Sequence, residues 1–216
     1  MRRDRELVEW VGRLGAVEAR QVGVKFSVER SAAYELIARL IKAGLLERVQ
    51  MIYGEPSLIR ATQTGIAFAG LGLPLATIRI GELHHWIACA DVVLWAERRY
   101  GNDAVLSERE IRFQEKLERR AVASAKLGEL PDGRPRLHRP DLVVDRGDGL
   151  VAIEVELTPK APARLRAIVR AWRRAACVER VVYFCSPGPT QQAVERAVAG
   201  THSAERVSVL EIGGAA

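Results

Sequence analysis

The residues whose types and spacing suit catalysis lie in two short runs of the second half of the chain. The run HRPD at 138–141 is followed, after an apolar stretch, by VAIEVELTPK at 151–160. Because side chains alternate along a strand, Glu154 and Glu156 are expected on the same face. Neighbouring carboxylates repel unless a cation compensates, and with Asp141 on the next strand they form an oxygen-rich site for Mg²⁺ or Mn²⁺. Such an ion activates water for attack on a phosphodiester.

The hydrophobic pattern around these runs predicts the elements that position them. Two buried strands are joined by a tight RGDG turn at 146–149. The stretch at 115–139 is rich in Arg, Lys, Gly and Pro and has no clean period, which predicts a partly helical, mobile connection. The predicted order from Leu83 is α-β-β-β-α-β-α-β, with elements at 83–99, 104–113, 141–144, 150–157, 162–176, 180–184, 190–198 and 206–212.

The first seventy residues predict three helices followed by a β-hairpin. A short second helix is predicted at about 17–22, and Ser27 is a suitable N-cap for the third helix, which Gly44 ends. Strands are predicted at 45–52 and 57–61. This is the order of a winged helix-turn-helix.

Glycine and proline residues after this hairpin mark a domain boundary. The sequence therefore predicts a winged helix-turn-helix domain at 1–74 and a second domain at 80–216. The fold class is mixed α/β.

Composition and charge restrict the class of protein. The chain has 216 residues, 48% of them hydrophobic, and its 33 Lys and Arg against 27 Asp and Glu give a net charge of +6. Three cysteines without a CxxC pattern favour a reducing compartment, so a cytoplasmic location is predicted. No apolar run reaches the ~20 residues that a membrane span needs, so no membrane partner is predicted. The positive excess permits a DNA partner without specifying one.

The acidic residues on this background of elements resemble the PD-(D/E)xK nuclease superfamily over about residues 83–212. Together with the winged helix, the runs RPDLVV and VAIEVELTPK also resemble the replication-relaxation-like proteins of actinobacterial mobile elements. The resemblance implies that Asp141 and Glu154 bind the metal and that Glu110, in the strand predicted at 104–113, is an accessory acidic residue. It implies a bacterial DNA endonuclease of a mobile element or plasmid that uses Mg²⁺ or Mn²⁺.

One position departs from the nuclease pattern. Where that pattern has a lysine two residues after the glutamate, this chain has Glu156. Lys160, near the start of the next helix, is the candidate to replace that lysine and to stabilise charge. Without such a cation the site would bind metal but cleave poorly. The predicted catalytic residues are Asp141, Glu154, Glu156, Lys160 and Glu110.

The winged-helix prediction also indicates which residues contact DNA. The third helix of such a module enters the major groove, and the hairpin adds further contacts. Arg30 suits a bidentate contact with guanine, whereas Ser31 and Tyr34 suit phosphates. The predicted DNA-binding residues are Lys25, Ser27, Arg30, Ser31, Tyr34, Arg48 and Arg60.

The helix predicted at 162–176 carries several arginines on its polar side. They form either a solvated face or a track for a phosphate backbone beside the acidic site. The sequence leaves both interpretations open. The arginines concerned are Arg164, Arg166, Arg170, Arg173 and Arg174.

Three alternatives to an active nuclease follow from the same residues. In the first alternative, the protein is a non-catalytic transcriptional regulator whose second domain senses a signal or forms a homodimer. Glu156 in the lysine position favours this alternative. In a purely structural alternative, the carboxylates form ordinary ion pairs with Lys160, Arg164 or Arg166. The third alternative is an adaptor for protein interactions that has no affinity for DNA.

Overall fold

The computed structural model describes residues 2–213 of a mixed α/β protein. The internal contacts divide the chain into two compact units, the first ending at Leu94 and the second beginning at Trp95. Within residues 2–213, no helix is both long and apolar enough to cross a membrane.

The first unit consists of helices around a small sheet. Its elements are α1 (Arg2–Leu14), β1 (Val17–Glu18), α2 (Ala19–Phe26), α3 (Arg30–Lys42), β2 (Leu46–Val49), β3 (Leu58–Ala61), α4 (Gln63–Ala69) and a 3₁₀ turn at Ile80–Glu82. Strand β3 lies between β1 and β2 and is antiparallel to both. Helix α5 (Leu83–Tyr100) begins in this unit, and its last residues belong to the second.

Apolar residues at helical spacing form the core of the first unit. Leu7 and Val11 of α1 belong to the same buried cluster as Ile37 of α3. The start of α4 comes so close to the chain at Leu45 that only glycine fits there, since a Cβ on Gly65 would lie 2.0 Å from the Leu45 carbonyl oxygen. Helix α4 therefore packs through backbone contact.

The second unit contains a central sheet with helices on its faces. After a 3₁₀ turn at Asn102–Ala104, its elements are β4 (Val105–Ser107), α6 (Glu108–Glu118), β5 (Ala125–Glu129), β6 (Pro135–His138), β7 (Leu142–Asp145), β8 (Leu150–Glu156), α7 (Pro162–Arg174), β9 (Arg180–Cys185), α8 (Pro189–Ala199) and β10 (Val207–Glu211). The predicted pair of strands around the RGDG turn is confirmed as β7 and β8.

The central sheet has the strand order β10-β9-β8-β7-β4. Strand β7 is antiparallel to both β4 and β8, whereas β8, β9 and β10 run parallel. Strands β5 and β6 form a separate antiparallel hairpin. Helix α7 packs its apolar stripe on the sheet, where Ile168 and Trp172 share a buried cluster with Val143, Ala152 and Val181. The polar face of α7 is left to solvent.

The strand predicted at 104–113 is wrong beyond its first residues. Strand β4 ends at Ser107 and α6 begins at Glu108, so Glu110 lies on a helix. The Ser107 Oγ accepts a hydrogen bond from the Glu110 amide at 3.3 Å, and the Glu110 Oε2 accepts one from the Ser107 amide at 2.9 Å. This reciprocal capping box outweighs the apolar alternation and starts the helix.

The stretch predicted as a partly helical, mobile connection at 115–139 does contain helix, the end of α6, but it also contains the β5–β6 hairpin, which was not predicted. Charged and small residues occupy much of this hairpin, so its strands lack the apolar alternation by which a buried strand is recognised.

The start of the third helix differs from the prediction as well. Ser27 is not its N-cap: it ends α2 in the left-handed conformation with φ of 51°, and Glu29 precedes α3. The second helix starts later than predicted because Glu18 and Gln21 form a capping box after β1. The turn between α2 and α3 is short, so its first residue must reverse the chain.

Candidate functional site

Strand β8 carries the two central carboxylates of the second unit. Glu154 and Glu156 point to the same side of the sheet and are buried, with relative exposures of 4% and 5%. In the parallel register with β9, Glu154 lies opposite Tyr183 and Glu156 opposite Cys185. The alternation expected for Glu154 and Glu156 is thus present, but both side chains are more enclosed than a solvent-facing site requires.

Glu154 is held by two donors from different elements. Its Oε1 lies 2.7 Å from the Nε2 atom of His138 and 2.9 Å from the Nε1 atom of Trp172, which donates a hydrogen bond. The His138 and Trp172 rings also meet edge to face. Both contacts converge on one carboxylate oxygen and orient the group.

Asp141 is anchored at the start of β7. Its Oδ2 accepts a hydrogen bond of 2.7 Å from the backbone amide of Val155, the residue between the two glutamates. Its carbonyl oxygen accepts a hydrogen bond of 2.8 Å from the Glu108 amide at the start of α6. The Asp141 carboxylate is therefore fixed against β8.

Lys160 joins the acidic cluster through Glu156. The Lys160 Nζ donates a hydrogen bond to the Glu156 Oε2. Burial raises the pKa of Glu156, as do the negative charges of Glu154 and Asp141, and the Lys160 ammonium only partly offsets this. Of the ion-pair partners predicted for the carboxylates, Lys160 is the one that the structure brings to Glu156.

Burial and the charged groups of the same cluster shift the pKa of His138. Burial by itself lowers this pKa, but the Glu154 carboxylate raises it, and Asp141 adds to that effect. The result is a raised pKa, although Lys160 acts in the opposite direction. Asp141, Glu154, Glu156, Lys160 and His138 thus form one electrostatically coupled group, called the acidic cluster below.

Tyr183 borders the acidic cluster from β9. Its side chain is buried, and its hydroxyl has no hydrogen-bond partner among residues 2–213. Burial raises the pKa of Tyr183 well above its ordinary value, and the charges of Glu154 and Glu156 raise it further. Tyr183 is therefore a neutral phenol beside the carboxylates.

Four residues of this region did not enter the predicted site: His138, Trp172, Tyr183 and Glu115. Glu115 is buried, and its carboxylate accepts hydrogen bonds from Arg139 Nε at 2.7 Å and from the Val122 amide at 3.2 Å. His138 and Arg139 immediately precede Pro140 and Asp141, so their adjacency was the available signal. Nothing in the sequence brings Trp172 or Glu115 to them.

Glu110 has a structural role at the start of α6. Its Oε2 accepts hydrogen bonds of 2.9 Å from both the amide and the hydroxyl of Ser107. The accessory acidic role that the resemblance implies for Glu110 stays a prediction.

Oxygen ligands of Asp141 and Glu154 match the chemistry that Mg²⁺ and Mn²⁺ require. Within residues 2–213, however, Asp141, Glu154 and Glu156 do not bring one oxygen each to within 4.8 Å of one another. The ligand type therefore suits a hard divalent ion, but these carboxylates would have to move for all three to share one ion.

In the first unit, two arginines stack on one tyrosine. The guanidinium carbons of Arg30 on α3 and Arg48 on β2 lie 5.7 and 5.9 Å from the centre of the Tyr34 ring. All three residues are exposed. This Arg–Tyr–Arg stack unites three of the predicted DNA-binding residues.

The other predicted DNA-binding residues have varied surroundings. Ser27 and Ser31 are exposed, and the Lys25 ammonium lies 5.6 Å from the centre of a Trp10 ring. Arg60 is largely enclosed, since its guanidinium donates to the Glu47 carboxylate and to the Ala76 carbonyl oxygen. Arg60 would have to break these contacts to reach DNA.

Chemically, the acidic cluster combines hard oxygen ligands, an ammonium group and a histidine, while the first unit presents aromatic-stacked guanidinium groups. The first set suits a divalent cation and the second suits phosphate or base edges.

Comparison with known proteins finds no family model that matches this chain, and no curated protein matches it either.

Proposed function

We propose that this protein binds DNA through its first unit and hydrolyses a phosphodiester of DNA with Mg²⁺ or Mn²⁺ at the acidic cluster of its second unit. The observation that carries the proposal is geometric: the Lys160 ammonium pairs with Glu156, and the Asp141 carboxylate accepts a hydrogen bond from the backbone between Glu154 and Glu156. A cytoplasmic role in a bacterial mobile element or plasmid belongs to the same proposal, and it rests on the resemblance alone.

The order of elements in the first unit supports DNA binding. A helix, a short strand, two helices and a hairpin are the elements of a winged helix-turn-helix, in which the third helix enters the major groove. Arg30 lies in the first turn of that helix, and stacking on Tyr34 keeps both Arg30 and Arg48 extended. Side chains ordered before binding lose less conformational entropy when they contact DNA.

The topology of the second unit supports the nuclease part. Leaving aside α6 and the β5–β6 hairpin, which intervene between β4 and β7, three antiparallel strands, a helix and a parallel strand occur in the order β4, β7, β8, α7 and β9. With α5 before them, these elements are consistent with the α-β-β-β-α-β order that the resemblance to PD-(D/E)xK nucleases implies. Asp141 directly precedes β7, and Glu154 lies within the neighbouring strand β8.

In this mechanism Asp141 and Glu154 would hold the ion, which when bound would activate water and neutralise charge on the phosphate. The Val155 amide orients Asp141, while His138 and Trp172 orient Glu154. The Lys160 ammonium, held by Glu156, offers positive charge to the phosphate oxygens as negative charge develops on them.

Cleavage assays test the catalytic part. The full chain is incubated with supercoiled and single-stranded DNA in Mg²⁺ or Mn²⁺, alongside Asp141→Asn, Glu154→Gln and Lys160→Met. Lys116→Met, which changes an exposed lysine on α6, is the matched control. We expect cleavage that the first three variants lose by at least ~10²-fold and the control retains. Absence of cleavage, or cleavage that survives Asp141→Asn, contradicts the enzymatic proposal.

A second function, that of a non-catalytic regulator, is favoured by the internal pairing of the acidic cluster. Lys160 already neutralises Glu156, and two donors already occupy Glu154 Oε1. In this version the second unit senses a signal or forms a homodimer. It predicts DNA binding that is independent of metal and unchanged in Asp141→Asn.

DNA binding itself is tested with α3 variants. Arg30→Ala is expected to weaken binding by about 1–3 kcal/mol if it contacts a base. Lys42→Ala, which changes an exposed lysine in the last turn of the same helix, is the control for loss of one charge. If no DNA binds to the wild-type protein even at low salt, the adaptor alternative replaces both functions.

A further inference from the structure

The exposed face of α7 concentrates arginine residues. At 100° per residue, Arg166, Arg170, Arg173 and Arg174 fall within a sector of about 100°. All four are exposed, and the apolar residues of the helix face the sheet. Arg164 lies outside this sector, so the basic stripe leads toward the C-terminal end of α7.

A groove of about 490 Å³ opens where this stripe ends. It is lined by Arg170, Arg173 and Arg174 from α7 and by the turn at 200–202 after α8. The Arg173 Nη1 donates a hydrogen bond of 3.0 Å to the Thr201 carbonyl oxygen, which fixes one guanidinium against the turn. The residues lining this groove include no aspartate or glutamate.

A second groove of about 520 Å³ lies on the other side of Arg174. Its polar lining includes Ser124, just before β5, and Lys126 on β5, whose ammonium donates to the exposed Glu129 carboxylate at 2.8 Å. The lining itself again includes no aspartate or glutamate, and in the described part of the chain its Arg174 has no acidic ion-pair partner. Because Arg174 lines both grooves, they form one basic track across the C-terminal end of α7.

The C-terminal end of a helix normally repels anions, because its last carbonyl groups carry partial negative charge. Here Arg206 offsets that charge. Its guanidinium donates a hydrogen bond of 3.0 Å to the Arg173 carbonyl oxygen, and further bonds to the carbonyl oxygens of Ala175 and Val178. The Arg206 guanidinium therefore offsets part of the negative charge that an anion approaching Arg170 and Arg174 would meet at this helix end.

We infer that this basic track binds the phosphodiester backbone of nucleic acid, independently of base sequence. A polyanion fits better than a single phosphate because the arginine and lysine residues are spread over two grooves. The inference deepens the proposed function and rests on it for the identity of the ligand. Trp172, which lies between Arg170 and Arg173 in the same helix, faces the sheet and donates a hydrogen bond to Glu154. The track and the acidic cluster therefore lie on opposite faces of the last turns of α7.

The test measures DNA affinity against salt concentration for the full chain. Arg170→Gln/Arg174→Gln removes two charges from the track and spares Arg173, which supports the turn at 200–202. Arg146→Gln/Arg180→Gln removes the same charge from two arginines that already have acidic partners. Arg30→Ala/Arg48→Ala reports separately on the first unit.

We expect the slope of log K against log salt to fall by about 1 for each track arginine removed, with equal weakening for every DNA sequence. The control pair should leave the slope unchanged. A slope unchanged in Arg170→Gln/Arg174→Gln overturns the track, and loss of binding in Arg30→Ala/Arg48→Ala then still supports the proposed function. A smaller slope in Arg170→Gln/Arg174→Gln, together with unchanged binding in Arg30→Ala/Arg48→Ala, supports the track and overturns DNA binding by the first unit.

Two further outcomes reject the track. If wild-type protein binds no DNA at low salt, both the track and the proposed function fail. If phosphatidylglycerol vesicles bind more tightly than DNA and lose this binding in Arg170→Gln/Arg174→Gln, the ligand is a lipid surface instead.

Discussion

The Nε2 atom of His138 lies 2.7 Å from the Oε1 atom of Glu154, and this contact ties the end of β6 to the middle of β8. It also fixes the chain immediately before Asp141, so the metal-binding pair of the proposed mechanism is positioned partly by a histidine. Trp172 completes the arrangement from α7. One carboxylate thus connects three elements of the second unit.

This contact predicts that stability depends on the protonation of His138. The pKa of His138 is raised in the folded chain, since the Glu154 carboxylate outweighs the effect of burial. The folded protein therefore holds this proton more tightly than the unfolded chain. The extra stability is fully present below pH 6.5, the ordinary histidine pKa, and is lost as pH rises through the raised value.

Urea unfolding across this pH range, in buffer with EDTA, checks the prediction. We expect the difference in unfolding free energy between wild type and His138→Gln to shrink as pH rises. The pKa is read directly from the Cε1–Hε1 NMR signal that the variant lacks. A His138 pKa below 6.5 contradicts the sign of this linkage.

The ion pair between Arg139 and Glu115 is predicted to stabilise the second unit through a buried charge. Glu115 is 5% exposed, so Arg139→Ala leaves an enclosed carboxylate without its cation. We expect a loss of about 2 kcal/mol, reduced from the fully buried case because the Arg139 side chain is partly exposed.

A double-mutant cycle separates pairing from other effects of Arg139→Ala. Glu115→Gln removes the charge and keeps the shape, so adding it to Arg139→Ala should cost less than it does alone. Strict additivity in urea unfolding would show that the two side chains do not stabilise each other.

Gly65 is predicted to tolerate no side chain. A Cβ there would lie 2.0 Å from the Leu45 carbonyl oxygen, and backbone on both sides must shift to relieve that overlap. We expect Gly65→Ala to destabilise the first unit by at least ~3 kcal/mol. Gly81→Ala is the control, because nothing lies within 4 Å of its added Cβ. Thermal unfolding that is equal for both variants contradicts the close packing of α4.

Ser27 offers the opposite case, a residue in the left-handed conformation that favours glycine. We expect Ser27→Gly to raise stability by about 0.5 kcal/mol, since relief of the left-handed strain exceeds the added flexibility of the unfolded chain. Ala38→Gly, at an exposed position in the interior of α3, should lower stability by about 1 kcal/mol because glycine disfavours a helix interior. Chemical unfolding curves for the two variants that shift in the same direction would refute this difference.

Local patterns in the sequence account for the elements that carry the acidic cluster. Alternation places Glu154 and Glu156 on one face of β8, and the RGDG turn joins β7 to β8. Strand alternation and a tight turn both depend on neighbouring residues only. The errors at Ser27 and Glu110 arose where two local signals compete, a helix cap against a chain reversal and a capping box against strand alternation. The capping box prevails at Glu110, and the chain reversal prevails at Ser27.

Tertiary structure alone decided which groups surround the carboxylates. Trp172 is 18 residues from Glu154 along the chain, and Glu115 is 24 residues from Arg139, so no local pattern relates the members of either pair. The sequence could predict carboxylates on a strand, because strand alternation is a property of the local backbone. It could not predict their burial, their donors or the raised pKa of His138, because these depend on desolvation and charge contributed by distant segments.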